Sequence, residues 1–123
     1  MLFRSMTADQ LRALASDGVT FAAHGLFHNP LNERESAGVL HREIREARAA
    51  LQAMVQAPVD YFVYPYGTAC RAAAELVQES GYRGALTSLH GCLRRGNDLF
   101  ALPRLAGECG LSHLRWQMAQ LSA

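Results

Sequence analysis

The sequence predicts an α/β fold in which parallel strands alternate with helices. Short apolar segments that favour β-strands lie between segments with helical spacing, in the order α-β-α-β-α-β-(β)-α. Alternation of this kind implies parallel pairing with right-handed crossovers. Half of the 123 residues are hydrophobic and 19% are charged, which is typical of one folded domain or part of one.

The first helix begins at a capping box. Thr7 is the predicted N-cap and Gln10 the N3 residue, and the helix ends near Gly18. Residues 19–23 are short, apolar and β-favouring, so they predict a buried strand. Residues 24–31 then form a loop at the carboxyl end of that strand, which is where parallel α/β folds bind their ligands.

Residues 33–56 predict a long helix. Its apolar residues recur at steps of 4, 3, 4 and 3, which indicates one face packed on a core. These residues are Leu40, Ile44, Ala47, Leu51 and Met54. The charged residues between them are expected on a solvated face: Glu43, Arg45, Glu46 and Arg48.

The rest of the chain divides in the same way. The predicted elements are a strand over 61–64 with the turn Pro65-Tyr66-Gly67, a helix over 72–79, a strand over 82–87, a loop over 91–100, a short strand at 101–102 and a helix over 111–121. The last helix carries Leu111, Leu114, Met118 and Leu121 on one face.

Composition excludes several classes of function. A formal net charge of +1 gives no support for binding to nucleic acid or to an anionic membrane. No apolar run approaches the roughly 20 residues of a membrane span, and the N-terminus has no signal-peptide core. Cys70, Cys92 and Cys109 are odd in number and widely spaced, so they predict small hydrophobic side chains rather than disulfides or a zinc site.

Two histidines follow the first predicted strand, with three residues between them. His24 and His28 can chelate one divalent metal ion, and neutral imidazoles suit Zn²⁺. A catalytic site of this type needs a third protein ligand, usually a carboxylate, and none of the four aspartates lies beside another. Since the chain has five histidines, a chance spacing is the alternative interpretation.

The segment Tyr64-Pro65-Tyr66-Gly67 follows the second predicted strand. By itself it indicates a proline-fixed turn with a glycine that allows positive φ. Its functional interpretation is that the Tyr66 N–H points at a developing oxyanion while the rings line a groove of sugar size.

In this order and spacing, these segments resemble the polysaccharide deacetylase family (NodB homology, carbohydrate esterase 4). His24-x-x-x-His28-Asn29-Pro30-Leu31 resembles the family's metal-binding motif, and Phe62-Val63-Tyr64-Pro65-Tyr66-Gly67 resembles its third motif. Leu102-Pro103-Arg104 resembles a late signature of one branch. The resemblance spans residues 6–121 and covers only the C-terminal portion of the family's domain.

The resemblance implies a distorted (β/α) barrel, partial here because its first strands are missing, and metal-dependent N-deacetylation of an N-acetylated polysaccharide or oligosaccharide. It makes His24 and His28 metal ligands, Tyr66 the oxyanion donor, and Tyr64, Pro65 and Tyr66 the substrate-binding residues. The metal would be Zn, with Co or Ni as alternatives, and the third ligand would lie outside this chain. His90 is a candidate general acid. His41 is expected to be inert, and His113 to cap or pack.

The family's Asp-Asp motif, which supplies the catalytic base and the Asp ligand, is absent from the sequence. Whether the chain is an enzyme by itself is therefore open. We expect residues 1–5 to be a non-native or disordered start and residues 6–123 to be the C-terminal part of a deacetylase domain. Open sheet edges would then need a missing half-domain or self-association. Members of the family are often secreted or part of the cell envelope, which does not assign a compartment here.

Two alternatives remain beside the deacetylase. One is a non-catalytic carbohydrate-binding or scaffold remnant of the same fold. The other is a generic α/β domain in which the histidine pair is accidental.

Overall fold

Four parallel strands form the centre of the fold in a computed structural model, which describes residues 5–107 and 110–121. The strands are β1 (Ala22–Ala23), β2 (Tyr61–Val63), β3 (Gly84–His90) and β4 (Leu102–Arg104). They pair in sequence order, with Ala23 opposite Phe62 and Phe62 opposite Ala85. The predicted α/β class is confirmed, and the four strands form an open sheet rather than a closed barrel.

Helices separate β1 from β2 and β2 from β3, whereas β3 and β4 are joined by a loop. The helices are α1 (Ala8–Ser16), α2 (Ala37–His41), α3 (Ala47–Val55), α4 (Arg71–Glu79) and α5 (Leu111–Leu121), with a π-helical turn at Arg42–Glu46 and a 3₁₀ turn at Pro65–Gly67. The capping box of α1 is confirmed, because the Thr7 hydroxyl accepts from the Gln10 N–H at 3.3 Å and the Gln10 side chain accepts from the Thr7 N–H at 2.9 Å.

The predicted long helix begins later than expected. Ser36 caps it by accepting a hydrogen bond from the Val39 N–H, so residues 33–35 stay outside. From there α2, the π-helical turn and α3 run on with helical dihedrals at both junctions. Leu40, Ile44 and Ala47 are buried as predicted.

Two residues of this helix contradict the sequence prediction. Met54 is exposed although it continues the apolar spacing. Glu43, expected in solvent, is 0% exposed. Its position three residues after Leu40 and four before Ala47 puts it on the buried stripe, where a polar partner compensates for its charge.

The core lies between the sheet and the helices. Phe62 and Ala85 of the sheet and Ile44 and Val77 of the helices belong to one buried cluster. The Tyr82 hydroxyl donates to the Ile44 carbonyl at 2.8 Å, so this buried polar group is satisfied within the core.

Strand boundaries differ from the prediction by a few residues. Only residues 22–23 of the predicted strand 19–23 pair, and Val19 is exposed. The third strand extends to His90 instead of ending at residue 87. The last strand includes Pro103. Proline lacks the backbone N–H donor, and an edge strand such as β4 tolerates this because it pairs on one side only.

The apolar face predicted for α5 is not buried. Leu111 and Met118 are exposed and Leu114 is half-buried, while the side chain of Leu121 lies outside the described ones. Among the described side chains of this helix, the buried one is Gln117. Periodicity within a helix shows which side chains share a face, but it does not show that a partner covers that face.

Some predictions concern residues outside the described ranges. Most of the expected non-native or disordered start lies there, and so does Cys109. Cys70 is half-buried and Cys92 is exposed, each as a free thiol. Among the described residues, no helix is both long enough and apolar enough to cross a membrane.

Candidate functional site

The two predicted histidines lie side by side after β1. The Nε2 atoms of His24 and His28 are 3.2 Å apart, and the ring centroids are separated by 4.7 Å. Both side chains are exposed. Two nitrogen ligands on one tetrahedral Zn²⁺ are about 3.3 Å apart, given Zn–N bonds of about 2.0–2.1 Å. The separation therefore suits two ligands of a single cation.

The orientation of His24 is fixed by the neighbouring strand. Its Nδ1 lies 2.7 Å from the carbonyl oxygen of Val63, at the end of β2. Because a carbonyl oxygen only accepts, Nδ1 carries the proton and donates. In the neutral ring this leaves Nε2 as a lone-pair acceptor directed toward the His28 Nε2, which lies at hydrogen-bond distance. Histidine ligands of metals are usually held by a second-nitrogen hydrogen bond of this kind.

His28 and Tyr66 both have a left-handed backbone, with φ of 59° and 58°. Their rings make an edge contact, with centroids 4.8 Å apart. Non-glycine residues at positive φ are uncommon and cluster at functional sites. The third described residue of this kind, Gln56, is the C-cap of α3, where that conformation is ordinary.

The predicted turn after β2 divides into buried and exposed parts. Tyr64 is 1% exposed, and its hydroxyl donates to the Phe100 carbonyl at 2.9 Å. Burial, with a smaller contribution from the negative charge of Asp98, raises the pKa of Tyr64 to about 12. Pro65 is also buried, whereas Tyr66 is 67% exposed.

The prediction that Tyr64 and Pro65 line a sugar groove is therefore corrected. Tyr64 lies two residues after Phe62, and alternation along a strand directs both rings toward the same face. Their rings meet at 5.6 Å within the core. Of the three residues predicted to bind substrate, only Tyr66 presents its side chain to solvent.

The turn itself is tightly built. The Gly67 N–H donates to the Tyr64 carbonyl at 2.8 Å, and Gly67 has φ +74°. A Cβ at Gly67 would lie 2.8 Å from the Ser88 backbone nitrogen, so the turn packs directly on β3.

A backbone bridge joins the loops that carry His28 and Tyr66. Leu31 pairs in parallel with Ala69, and the Cys70 N–H donates to the Leu31 carbonyl at 2.7 Å. Leu31 is also buried in the core. The histidine loop and the Tyr66 turn therefore have fixed relative positions.

Glu43 belongs to this region, although its charge predicts a position in solvent. Its carboxylate accepts hydrogen bonds from the backbone N–H groups of Leu26 and Phe27 and from the Asn29 side-chain amide. The spacing of Glu43 on the buried stripe of the helix is the signal that could have identified it.

No hydrogen bond or ring contact joins the other histidines to the pair in the described part of the chain. His90 is the exposed last residue of β3. His41 is half-exposed, with Nδ1 3.7 Å from Glu46. His113 lies on α5, where Nε2 is 2.9 Å from the Gln117 amide nitrogen. Among the described residues, no three His, Cys, Asp or Glu side chains are grouped for metal binding.

Two cavities bear on the choice of site, one on the opposite face of the sheet and one beside His24. The first has a volume of about 720 Å³ and is lined by Tyr61, Leu86, Leu102, Arg83 and Arg94 among others. Since Leu86 follows Ala85, this cavity is on the sheet face opposite the helix-packed core. The second, of about 280 Å³, includes His24. The histidine pair, rather than either cavity, is the candidate site, because cavity size alone carries no chemistry.

Comparison with known proteins supports the resemblance found in the sequence. A family model described as polysaccharide deacetylase matches residues 4–85. A comparison with curated proteins gives no significant sequence match.

Several solved structures share the fold. A deacetylase of Streptococcus pyogenes in complex with acetate has a TM-score of 0.80 and 21% identity, over 92% of this chain and 50% of that chain. A polysaccharide deacetylase of Bacillus cereus has a TM-score of 0.73 and 16% identity, over 82% of this chain and 32% of that chain. A de-N-acetylase of Aggregatibacter actinomycetemcomitans has a TM-score of 0.66 and 18% identity, over 91% of this chain and 53% of that chain.

These likenesses bear on the fold. The chain spans between about a third and about half of the length of the solved structures it matches. The parallel sheet with alternating helices therefore corresponds to part of the fold of these deacetylases, in agreement with the partial α/β architecture predicted from the sequence.

Proposed function

The chain belongs to the polysaccharide deacetylase family, and from this premise we propose that it takes part in metal-dependent N-deacetylation of an N-acetylated polysaccharide or oligosaccharide. The reaction breaks the amide C–N bond of an N-acetyl group with water and gives acetate and a free amine. The observation that carries the proposal is the pair of imidazole nitrogens, 3.2 Å apart, on a loop with a fixed ring orientation.

In this proposal His24 and His28 hold a divalent cation. Zn²⁺ is the first candidate because neutral imidazoles suit it, and Co²⁺ or Ni²⁺ are the alternatives. A bound cation of this kind supplies Lewis-acid polarisation of an amide carbonyl and acidifies a coordinated water. The residues present fit such a cation, since the Val63 carbonyl directs the His24 Nε2 lone pair toward His28.

The third ligand and the catalytic base are proposed to be carboxylates outside this chain. Support comes from the sequence, which has no adjacent aspartates, and from the described residues, where no third ligand joins the two histidines. The corresponding partner is a second half of the domain or another copy of the chain.

Tyr66 contributes in two ways in this proposal. Its backbone N–H donates to the oxygen that becomes negative as the amide carbon turns tetrahedral, and a donor fixed beforehand is the effective kind. The left-handed conformation, with φ of 58°, and the hydrogen bond that closes the turn at Gly67 hold that donor in place. The exposed ring offers an apolar face to a sugar. His90, exposed at the end of β3, is the candidate for protonating the leaving amine.

The first experiment is a Zn²⁺ titration by calorimetry. The wild-type chain and the control His41→Ala are expected to bind Zn²⁺ equally, because His41 is apart from the pair. His24→Ala and His28→Ala are each expected to lose most of this binding. Equal Zn²⁺ binding by all four proteins would contradict the proposal.

The second experiment measures acetate release from N-acetylglucosamine oligomers, with Zn²⁺ and after chelation. We expect little release by the chain alone and a clear increase when an added segment that carries an Asp-Asp pair is fused to it. Release that is unaffected by His24→Ala in the fusion would contradict a role for the pair.

A non-catalytic carbohydrate-binding function is the second candidate. It is favoured by the lack of a third ligand among the described residues and by two exposed aromatic side chains, Phe27 next to His28 in sequence and Tyr66 in ring contact with it. It predicts oligosaccharide binding that survives chelation and survives the double change His24→Ala and His28→Ala. The deacetylase proposal predicts weaker binding in both cases.

A further inference from the structure

We infer that Glu43 is a positioning residue for His24 and His28, and the inference rests on the proposed function for its chemical meaning. Glu43 is 0% exposed and lies on the π-helical turn between α2 and α3. Its carboxylate packs against the loop that carries both histidines, which is distant in sequence. π-Helical turns within longer helices are frequent at functional sites.

All partners of the carboxylate are donors from that loop. Oε2 accepts from the Leu26 N–H at 2.9 Å, and Oε1 accepts from the Phe27 N–H at 3.1 Å. The Asn29 amide donates to Oε1 at 3.0 Å. No arginine or histidine forms an ion pair with Glu43 within the described part of the chain. The buried carboxylate is therefore satisfied by the loop itself.

These contacts lie on both sides of His28. Leu26 and Phe27 precede it and Asn29 follows it, so the carboxylate holds the backbone before the ligand candidate and a side chain after it. That fixation offsets the cost of the left-handed conformation of His28, which a free loop would avoid.

Gly25 completes the arrangement beside His24. It has φ +83°, and a Cβ there would lie 2.5 Å from Oε2 of Glu43. The carboxylate therefore approaches the loop backbone where only glycine leaves room. The loop is wrapped around Glu43, and both imidazoles project from it.

A purely structural role for Glu43 makes a different prediction. In that case its replacement would lower stability without changing the histidine tautomers or the affinity for metal. A positioning role requires that both change, because the ring nitrogens would no longer be held at one separation.

The test compares Glu43→Gln with Glu46→Gln in the full chain. Glu46 lies on the same π-helical turn, with its side chain half-exposed, so it matches the change in charge. The first measurement is the ring-nitrogen spectrum of the metal-free protein by ¹H–¹⁵N correlation. The second is the Kd for Zn²⁺ by calorimetry, with circular dichroism as the check of folding.

We expect a single Nδ1–H tautomer for His24 in the wild-type protein and in Glu46→Gln, and a mixture in Glu43→Gln. The Kd for Zn²⁺ should rise about 10- to 100-fold in Glu43→Gln alone, the usual effect of losing a residue that orients ligands. If Glu43→Gln does not fold, Asn29→Ala removes one of the contacts and should change both readouts in the same direction by less.

If Glu43→Gln folds and keeps the wild-type tautomers and the wild-type Kd, the inference is overturned and the proposed function still stands. If Glu43→Gln does not fold, the same result for Asn29→Ala overturns the inference. If the wild-type chain binds no Zn²⁺, the proposed function fails, and the tautomers alone decide the inference. Tautomer mixing confined to Glu43→Gln then supports positioning, and unchanged tautomers overturn it.

Discussion

Replacing Gly25 with alanine tests whether the histidine loop depends on close contact with the buried carboxylate. Gly25 has φ +83°, and an added Cβ would lie 2.5 Å from Oε2 of Glu43 and 3.3 Å from Cγ of Pro65. Gly18 is a matched control in the same chain, because it has φ +88° and nothing within 4 Å of an added Cβ.

The two substitutions share one cost and differ in another. Left-handed backbone costs an alanine roughly 1–2 kcal/mol relative to glycine, and this applies at both positions. At Gly25 the carboxylate or the loop must also move, and a buried hydrogen-bonding group that loses a partner costs about 1–3 kcal/mol. Gly25→Ala should therefore lower the free energy of unfolding by about 1–3 kcal/mol more than Gly18→Ala.

Urea unfolding followed by circular dichroism measures this difference. For a small domain it displaces the midpoint by on the order of 1 M. Equal losses for the two variants would refute the contact between Gly25 and Glu43. A larger loss for Gly18→Ala would refute the reasoning as a whole.

Two further predictions concern the Tyr64–Gly67 turn, and a third concerns Arg48 in the long helix. Gly67→Ala should lower the free energy of unfolding by about 2–4 kcal/mol, since it combines left-handed strain with a Cβ 2.8 Å from the Ser88 nitrogen. Adding Ser88→Gly to this variant should restore only part of the lost stability in thermal melts. Full restoration would contradict a contact with the Ser88 backbone. Tyr64→Phe should flatten the pH dependence of stability: because burial raises the pKa of Tyr64 from 10.0 to about 12, the stabilisation is complete below pH 10 and is lost as the pH rises to 12. Over that interval urea unfolding should show the wild-type protein losing on the order of 1 kcal/mol per pH unit more than Tyr64→Phe, and parallel profiles would contradict it. Arg48→Lys should lower the free energy of unfolding by about 1–3 kcal/mol. Arg48 donates to the carbonyl oxygens of Val59 and Ser80 and places its planar guanidinium 5.1 Å from the Tyr82 ring centroid, and a lysine cannot keep all three contacts. An unchanged melting temperature would show that these contacts add nothing.

The sequence predicted those parts of the fold that depend on neighbours within one element. The capping box at Thr7 and the buried face formed by Leu40, Ile44 and Ala47 are of this kind, because their spacing alone determines the contacts. Strand lengths depend on partners elsewhere in the chain. Residues 19–21 favour β-structure, yet only the two residues after them pair with β2.

The candidate site was predictable to a similar extent. Strand ends and spacing brought His24 and His28 together, but nothing local shows that the Val63 carbonyl orients His24, since 39 residues separate them. The burial of Tyr64 follows from its period-2 alternation with Phe62, although the four-residue motif suggests one exposed turn. The charge of Glu43 favours solvent, whereas its spacing places it on the buried stripe of the helix.

The distribution of strain supports one conclusion about how the loops behave without a ligand. Two non-glycine residues with left-handed backbone, His28 and Tyr66, face each other across the site, and each costs roughly 1–3 kcal/mol. Such conformations persist only where the surroundings determine them. Here the surroundings are a buried carboxylate at Glu43 and a backbone bridge at Leu31, both within the most buried part of the fold.

A site built in this way is already arranged before any ligand binds. Its opening requires the loss of buried hydrogen bonds, so the histidine loop should exchange its amide protons more slowly than an ordinary exposed loop. The amides of Leu26 and Phe27, which donate to Glu43, are the ones in which this protection should be found. Ligand binding then adds little ordering cost, which is the physical advantage of holding two strained residues in place.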